Sequence, residues 1–330
     1  MHRTVVRFQT ITAGLPALAG LVFLLFFCSA ATAAPMVVEK SVLKKDTIWQ
    51  GQVLVKGDVE VSQGVTLIIM PGTVVRFARI KPFGPAKLTT DRTAHFPRAE
   101  LIVKGRLLAQ GTPDARIIFT SAAKDPKPAD WGAVNFLNSR DNILEFCEFS
   151  YGHTSVHAHG AQMVIANSFF HHNGVAIGMK NVKNAVRCVV SILYNRITDN
   201  GGGVLFGKGS TPTITHNEIS NNKFFGIYVK KGGMANIRYN NIVDNGKGVL
   251  FYAVKGFRIR DNNIAGNTDY NISLLEGQEG DVNARHNWWG TTDTTKINNL
   301  IRDNSQDKSL GSVDFSDFTP APVVGAGLPL

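Results

Sequence analysis

Residues 192–200 read Ile192-Leu193-Tyr194-Asn195-Arg196-Ile197-Thr198-Asp199-Asn200. Two aliphatic residues five positions apart are each followed, three residues later, by Asn. The pattern returns in three further copies, which are Ile214–Asn217–Ile219–Asn222, Ile237–Asn240–Ile242–Asn245 and Ile259–Asn262–Ile264–Asn267. A copy upstream, Val164–Asn167–Phe169–His172, carries His in the last position. The first Asn residues of the five copies are 28, 22, 23 and 22 positions apart, and a repeat of this length predicts a solenoid.

Each copy is followed by another short apolar segment, of which Val204–Phe206 and Gly226–Val229 are two examples. A coil of about 22 residues therefore holds three short strands, and it is too short for a strand–helix–strand unit, which needs about 30 residues. Asn suits tight bends, and stacked Asn side chains form ladders of amide hydrogen bonds. The repeat predicts an all-β fold, a single-stranded right-handed parallel β-helix in which the Asn residues are structural.

The N-terminal segment has the parts of a secretory signal peptide. Two early arginines supply positive charge, Leu15–Phe27 is apolar, and Ala31-Thr32-Ala33 is a small-residue cleavage pattern. We predict removal of residues 1–33, no membrane-spanning segment after cleavage, and a location in the periplasm or outside the cell. Attachment of a lipid to Cys28 is disfavoured, since Phe27 stands where a small residue would precede the cysteine.

The mature chain is predicted to form one domain. The β-helix spans residues 36–318 and is interrupted by a long loop, 80–99, with three prolines and no sustained apolar alternation. A C-terminal cap, 287–318, includes a segment with helical spacing of apolar residues at 294–302. A short helix there would cover the strand edges of the last coil. The end of the chain, 319–330, is predicted to be disordered.

The composition describes an ordered, basic protein. Hydrophobic residues make up 44% of the chain and charged residues 18%, and the net charge of +10 becomes +8 once the two arginines of the signal peptide are removed. Outside the cytosol, a basic surface favours acidic glycans or a negative membrane surface over nucleic acid, although net charge also serves solubility alone. We predict that Cys147 and Cys188 are buried free thiols, because strands two coils apart are too distant for a disulfide.

Counting from the first Asn of each coil predicts which side chains share a face. Ten residues on is an aliphatic row; eleven residues on are Gly178, Phe206, Tyr228, Phe251 and Ser273; thirteen residues on are Lys180, Lys208 and Lys230. Because alternate residues of a strand point to one face, we assign the aliphatic row inward and the other two rows outward. The prediction is a glycan-binding face with an aromatic column, Phe206, Tyr228 and Phe251, beside a lysine column, Lys180, Lys208 and Lys230. The alternative is that the rings stack for stability and the lysines prevent aggregation.

Five of the nine histidines fall between residues 153 and 172. In Val156-His157-Ala158-His159, strand alternation turns both histidines outward on one face. Two imidazoles so placed are suited to binding a transition metal or to acting as a general base. A transition metal bound by His157 and His159 is therefore the one cofactor considered. The alternative is that both are polar residues on a half-exposed strand.

The coils resemble those of the right-handed parallel β-helix repeat proteins of the pectin-lyase-like superfamily, in particular the Asn-rich coils of secreted bacterial and archaeal members. The resemblance is carried by the coils from Cys147 to Asn267, and Asn287-Trp288-Trp289-Gly290-Thr291 is similar to a common C-terminal segment. Such coils also occur in sugar-hydrolase modules and in a periplasmic copper-processing protein. The resemblance implies the fold and no single activity, since the superfamily includes lyases, hydrolases, esterases, epimerases and non-catalytic proteins.

Three functional hypotheses follow. The leading one is an exported protein that binds polysaccharide or cell-surface glycan, anionic in kind, through the aromatic and lysine columns. The second is a polysaccharide lyase, epimerase or glycoside hydrolase acting beside the loop 80–99. The sequence leans away from an enzyme, because no pair of carboxylates recurs on one outward strand, as sugar hydrolysis requires. The third is periplasmic copper handling through His157 and His159.

Overall fold

The computed structural model describes residues 34–89, 91–181 and 185–329. The predicted signal peptide, residues 1–33, lies outside the described residues. The upstream strands are β1 (Met36–Val38), β2 (Ser41–Leu43), β3 (Thr47–Trp49), β4 (Gln52–Val55), β5 (Val59–Val61), β6 (Thr66–Ile69), β7 (Val74–Phe77), β8 (Leu101–Val103), β9 (Arg106–Gln110) and β10 (Ile117–Ser121). The middle strands are β11 (Val134–Glu145), β12 (Cys147–Ser150), β13 (Thr154–Ala166), β14 (Phe169–His171), β15 (Val175–Lys180), β16 (Val189–Leu193), β17 (Arg196–Thr198), β18 (Gly202–Phe206), β19 (Thr213–Thr215) and β20 (Glu218–Ser220). The downstream elements are β21 (Phe225–Val229), β22 (Asn236–Arg238), β23 (Asn241–Val243), β24 (Lys247–Phe251), β25 (Phe257–Arg258), β26 (Asn263–Ala265), β27 (Tyr270–Leu274), β28 (Val282–Asn283), α1 (Thr294–Asn299), β29 (Ile301–Arg302) and β30 (Val313–Asp314).

The strands stack coil on coil in parallel. The first sheet has ten strands in the order β1-β4-β7-β10-β12-β14-β17-β20-β23-β26. The second sheet runs β2-β5-β8-β11-β13-β15-β18-β21-β24-β27-β29. The third runs β3-β6-β9-β11-β13-β16-β19-β22, with the long strands β11 and β13 belonging to both. The predicted parallel β-helix, with three strands in each coil, is confirmed.

Two ladders of buried Asn side chains run through the turns of the regular coils. One contains Asn195, Asn217, Asn240, Asn262 and Asn287, and the other contains Asn173, Asn200, Asn222, Asn245 and Asn267. In each step the side-chain NH₂ and the backbone N–H of one Asn donate to the Oδ1 of the next, as Asn217 does to Asn240 at 2.9 and 3.0 Å. The structural role predicted for these residues is confirmed. Asn287, where the sequence repeat stops, is still a rung of the first ladder.

The left-handed backbone conformation falls on the residue before the first Asn of each coil. Tyr194, His216, Tyr239 and Asp261 all have φ between 55° and 58°. The residue before the Asn thus makes the bend, and the Asn side chain is left free to form the ladder. This division of roles differs from our expectation that Asn itself would adopt the left-handed conformation.

The upstream copy of the repeat is one residue out of the predicted register. Ile165 pairs with Ile192, and the backbone N–H of Ser168 donates to Asn195 Oδ1 at 3.0 Å. The copy is therefore Ile165–Ser168–Phe170–Asn173, and the prediction of Val164–Asn167–Phe169–His172 is wrong. Asn167 occupies the left-handed position, with φ of 51°. It makes the bend and is not a member of the Asn ladder that the sequence pattern suggested.

The interior of the coil is filled by aliphatic and aromatic side chains. Phe119, Phe149 and Phe170 stack from coil to coil with centroid separations of 4.7 and 4.8 Å. Cys147 and Cys188 are both buried and free, in agreement with the sequence prediction. Dispersion between stacked rings adds to the burial of apolar surface, so this column is a rigid base for the sheets around it.

The C-terminal cap is more strand-like than expected. The helix α1 begins after Asp293, whose carboxylate accepts from the N–H groups of Thr295 and Lys296, and it ends at Asn299, where a helix over 294–302 had been expected. The next residues form β29, in which Ile301 pairs with Ile272 of β27. The cap therefore covers the last coil and also adds one further strand, β29, to the second sheet.

The end of the chain follows the first sheet. The backbone N–H of Val323 donates to Asn263 Oδ1 at 2.8 Å, and that of Gly327 donates to the carbonyl oxygen of Tyr239 at 2.9 Å. The segment 319–329 is thus placed by specific hydrogen bonds, in contrast to the disorder expected for 319–330. Within the described ranges, no helix is long and apolar enough to cross a membrane.

Candidate functional site

The register of the second sheet decides which predicted site residues share a face. Phe206 pairs with Val229, and Tyr228 pairs with Leu205 and Leu250. Phe206 and Phe251 have no exposed surface, because both point into the core. The prediction of an outward column of Phe206, Tyr228 and Phe251 is therefore wrong for its two phenylalanines. The outward column of the sheet is His157, Gly178, Leu205, Tyr228, Leu250 and Ser273.

Unequal turn lengths explain the error. Gly202, two residues after Asn200, pairs with Phe225, three residues after Asn222. The same one-residue difference separates the next two coils. Counting eleven residues from the first Asn therefore reaches an outward side chain in one coil and overshoots it by one residue in the next. Because neighbouring residues of a strand point to opposite faces, a shift of one residue moves the predicted side chain from the outward face to the core.

The lysine column lies at a cleft on the outer surface of the second sheet. The cleft has a volume of about 470 Å³. Its lining residues are Phe96, His153, Thr154, His157, Val175, Gly178, Met179, Lys180, Leu205, Phe206, Gly207, Lys208, Lys230, Lys231 and Tyr252. Four of these are lysines and none is acidic. The structure thus places Lys180, Lys208, Lys230 and also Lys231 around one cleft. They do not form the single predicted column, because Phe206 pairs with Val229 and Gly207, not Lys208, is therefore opposite Lys230.

Aromatic side chains stand at the cleft, but not those expected from the sequence. Phe96 lines the cleft from the loop 80–99, and Tyr252 lines it from the residue after β24. Tyr228 is half-buried beside the cleft, and Lys230 Nζ lies 5.6 Å from the centroid of the Tyr228 ring. The length of the loop marked it as functional, but nothing local in the sequence singled out Phe96.

The loop 80–99 is held in place by a buried ion cluster. Lys87 Nζ lies 2.8 Å from Asp58 Oδ1 and 2.7 Å from Glu100 Oε2, and both carboxylates are fully buried. Lys87 also donates to the carbonyl oxygen of Arg98 at 2.8 Å. Burial raises the pKa of Asp58, although the ammonium group of Lys87 opposes that shift. The cluster fixes the wall of the cleft that carries Phe96.

His157 lines the upstream end of the cleft, and His159 is its neighbour. The rings of His157 and His159 have centroids 4.3 Å apart, and Phe96 meets His157 edge-on at 5.1 Å. Burial lowers the pKa of His157 well below the usual value for an imidazole, and it lowers the pKa of His159 to about 4. The positive charge of Lys180 acts in the same direction on both. Both imidazoles are therefore neutral near pH 7.

The donor set at this pair does not fit a closed metal centre. Neutral imidazoles are suitable ligands for copper or zinc. Structural sites for such metals, however, have four protein ligands and catalytic sites have three, and across residues 34–89, 91–181 and 185–329 no group of three or more His, Cys, Asp or Glu side chains is placed to hold a metal ion. His157 and His159 form a pair without the further ligands that a metal would need.

A family model and a solved structure show similarity to this chain. Residues 125–287 match the model of a family described as "Periplasmic copper-binding protein (NosD)", and the periplasmic description agrees with the predicted export. The chain is also similar to a solved structure, the mannuronan C-5 epimerase AlgE6 A-module of Azotobacter vinelandii. That similarity has 14% identity and a TM-score of 0.40, and it covers 84% of this chain and 91% of that one. No curated protein matched the chain. The predicted resemblance to parallel β-helix repeat proteins is confirmed.

Proposed function

We propose that this exported β-helix protein binds an anionic polysaccharide in the cleft on its second sheet. The observation that carries the proposal is the set of four lysines, Lys180, Lys208, Lys230 and Lys231, around a cleft whose lining, in the part of the chain that the structure describes, has no acidic residue. Like charges around one cleft repel one another, and a polymer of carboxylate- or sulfate-bearing sugars would relieve that repulsion.

The floor and walls of the cleft suit a sugar chain. Val175 and Leu205 supply apolar surface, while Phe96 and Tyr252 stand at the sides. Ligand sites commonly combine such apolar surface with a few polar groups that fix orientation. Lys230 comes directly after β21, and Lys208 comes two residues after β18, beside Gly232. The two strands are neighbours in the second sheet, where parallel strands are about 4.8 Å apart. An extended polymer along the helix axis would meet one lysine after another.

Binding is favoured over hydrolysis because none of the described residues that line the cleft carries a carboxylate, whereas most glycoside hydrolases use two. The test is affinity of the mature protein for a polyuronate, a sulfated glycan and a neutral glucan, measured by calorimetry at low salt. We expect binding to the acidic polymers alone. Exposed ion pairs contribute about 0.2–1 kcal/mol each, so Lys208→Ala and Lys230→Ala should each weaken binding roughly two- to fivefold.

The exposed Lys255, which lies outside the lining, is a matched control. Lys255→Ala removes one positive charge, as Lys208→Ala and Lys230→Ala do, but it should leave the affinity unchanged. Equal weakening by all three substitutions would mean a nonspecific charge effect and would overturn the assignment of the cleft. Formation of unsaturated or epimerised products from the polyuronate would show instead that the same cleft catalyses a reaction.

Metal handling is the weaker candidate. The description of the matching family as copper-binding favours it, and His157 and His159 are the residues that would take part. Tight binding of one copper ion, lost in His157→Ala and unaffected by Lys208→Ala, would favour this function over glycan binding.

A further inference from the structure

The starting point is the amide of Asn135, which is fully buried beside the cleft. Its Nδ2 donates to the carbonyl oxygen of Ala94 and to Glu100 Oε1, each at 2.8 Å. A carbonyl and a carboxylate oxygen can only accept hydrogen bonds, so both N–H groups of the amide are used. The orientation of Asn135 is therefore settled by its partners, and its Oδ1 is left to accept.

The oxygen of that amide determines the tautomer of His157. Its Nδ1 lies 3.4 Å from Asn135 Oδ1. Because an amide oxygen supplies no hydrogen, Nδ1 of His157 must carry one. A neutral imidazole has a single N–H, and the depressed pKa of His157 means that it is neutral near pH 7. Nε2 is then unprotonated and can act only as an acceptor.

The neighbouring coil places Nε2 of His157 at the cleft. A Cβ atom on Gly178, which lines the cleft, would lie 2.9 Å from His157 Cδ2 and 3.6 Å from its Nε2. The Cδ2–Nε2 edge of the ring thus overlies a glycine, whose missing side chain makes room for it. No hydrogen bond within the described residues occupies His157 Nε2. Lys180, two residues beyond Gly178, adds a positive charge to the same end of the cleft.

We infer that Asn135 positions His157 so that its Nε2 accepts a hydrogen bond from a hydroxyl group of the ligand, next to the anionic group that Lys180 attracts. This inference rests on the proposed glycan-binding function and narrows its ligand. The site takes acidic sugar units with a free hydroxyl beside the negative group, and it discriminates against units whose hydroxyls are substituted. Asn135 is a positioning residue, and His157 is the residue that determines specificity.

The tautomer is tested by nitrogen–proton correlation NMR on the mature protein with ¹⁵N-labelled histidine, which needs no substitution. We expect a protonated Nδ1 and an unprotonated Nε2 for His157. An N–H on Nε2 would overturn the inference and leave the proposed function intact.

The ligand preference is tested with a polyuronate and the same polymer after O-acetylation, which retains the carboxylates and blocks the hydroxyls. One hydrogen bond contributes about 1 kcal/mol net, so we expect the native protein to prefer the free polymer about fivefold. His157→Phe should abolish that preference while binding driven by the lysines persists. If the native protein and the His157→Phe variant show the same preference, the inference is overturned and the proposed function is not. If the native protein binds neither polymer, the proposed function and the inference are both overturned.

Discussion

Asn240 Nδ2 donates to Asn262 Oδ1 at 2.9 Å inside a turn where both residues have no exposed surface. The carbonyl oxygens of Ile214 and Arg238 also lie 2.9 Å from this nitrogen, so its two hydrogens are shared among three acceptors. Its own Oδ1 accepts from Asn217. One side chain thus satisfies backbone groups of several coils, and buried polar groups are costly when they lose their partners.

Asn240→Ala should therefore destabilise the protein severely. Each buried group left without a partner costs about 1–3 kcal/mol, so we expect a loss of at least ~3 kcal/mol in the free energy of unfolding, measured by urea denaturation. The exposed Asn236, in the adjacent strand β22, is a matched control. Asn236→Ala should change the free energy by less than about 0.5 kcal/mol, and equal effects of the two substitutions would refute the ladder's role.

Lys87→Met should release the loop 80–99. The substitution leaves the carboxylates of Asp58 and Glu100 buried without their shared cation, and breaking a buried pair in this way costs about 3–5 kcal/mol. We expect faster amide hydrogen exchange in residues 84–99 and weaker glycan binding through loss of the wall that holds Phe96. Lys81→Met, an exposed change in the same loop, is the control, and unchanged exchange in the Lys87 variant would contradict the prediction.

Phe206 and Tyr228 should behave differently when each is replaced by Ala. Phe206 is fully buried, so its removal leaves a cavity and costs about 3–5 kcal/mol of stability. Tyr228 is half-buried on the outward column, and its removal should cost much less stability. Thermal or urea unfolding of the two variants checks this, and a larger loss for Tyr228→Ala would mean that the sheet has the opposite register.

Acidification should destabilise the protein through His159. Burial lowers its pKa from the usual 6.5 to about 4 in the folded chain. Between these two values the unfolded chain binds the proton more tightly, so stability is complete above about pH 6.5 and falls as the pH decreases towards 4. A shift of this size corresponds to a loss on the order of 3 kcal/mol.

Urea denaturation of the native protein and of His159→Gln at pH 7 and pH 5 measures this contribution. His153 and His157 shift in the same direction through burial, so some pH dependence should remain in the variant. Identical pH dependence in both proteins would exclude His159 as a source.

The sequence alone determined the coil, because its signals are local and repeated. The aliphatic residues three positions before each Asn correctly predicted interior positions, whereas the row ten positions after the first Asn did not, since Leu205 and Leu250 lie on the outward column. Asn at a fixed distance from the interior residues predicted the ladders that Asn217, Asn240 and Asn262 form. Each coil repeats the same short-range interactions with the next, so a pattern of about 22 residues is sufficient to specify the architecture. The repeat also predicts three of the four lysines of the cleft, Lys180, Lys208 and Lys230.

The tertiary structure decided the site, because the site depends on differences between coils. A turn one residue shorter after Asn200 than after Asn222 turns Phe206 inward while Tyr228 stays outward. The Asn spacings of 22 and 23 residues contain that difference, but they do not show where in the coil the extra residue lies. The wall of the cleft depends on Lys87 reaching Asp58, 29 residues away. No local pattern records such a contact, since it forms only when the loop folds back across the stacked strands.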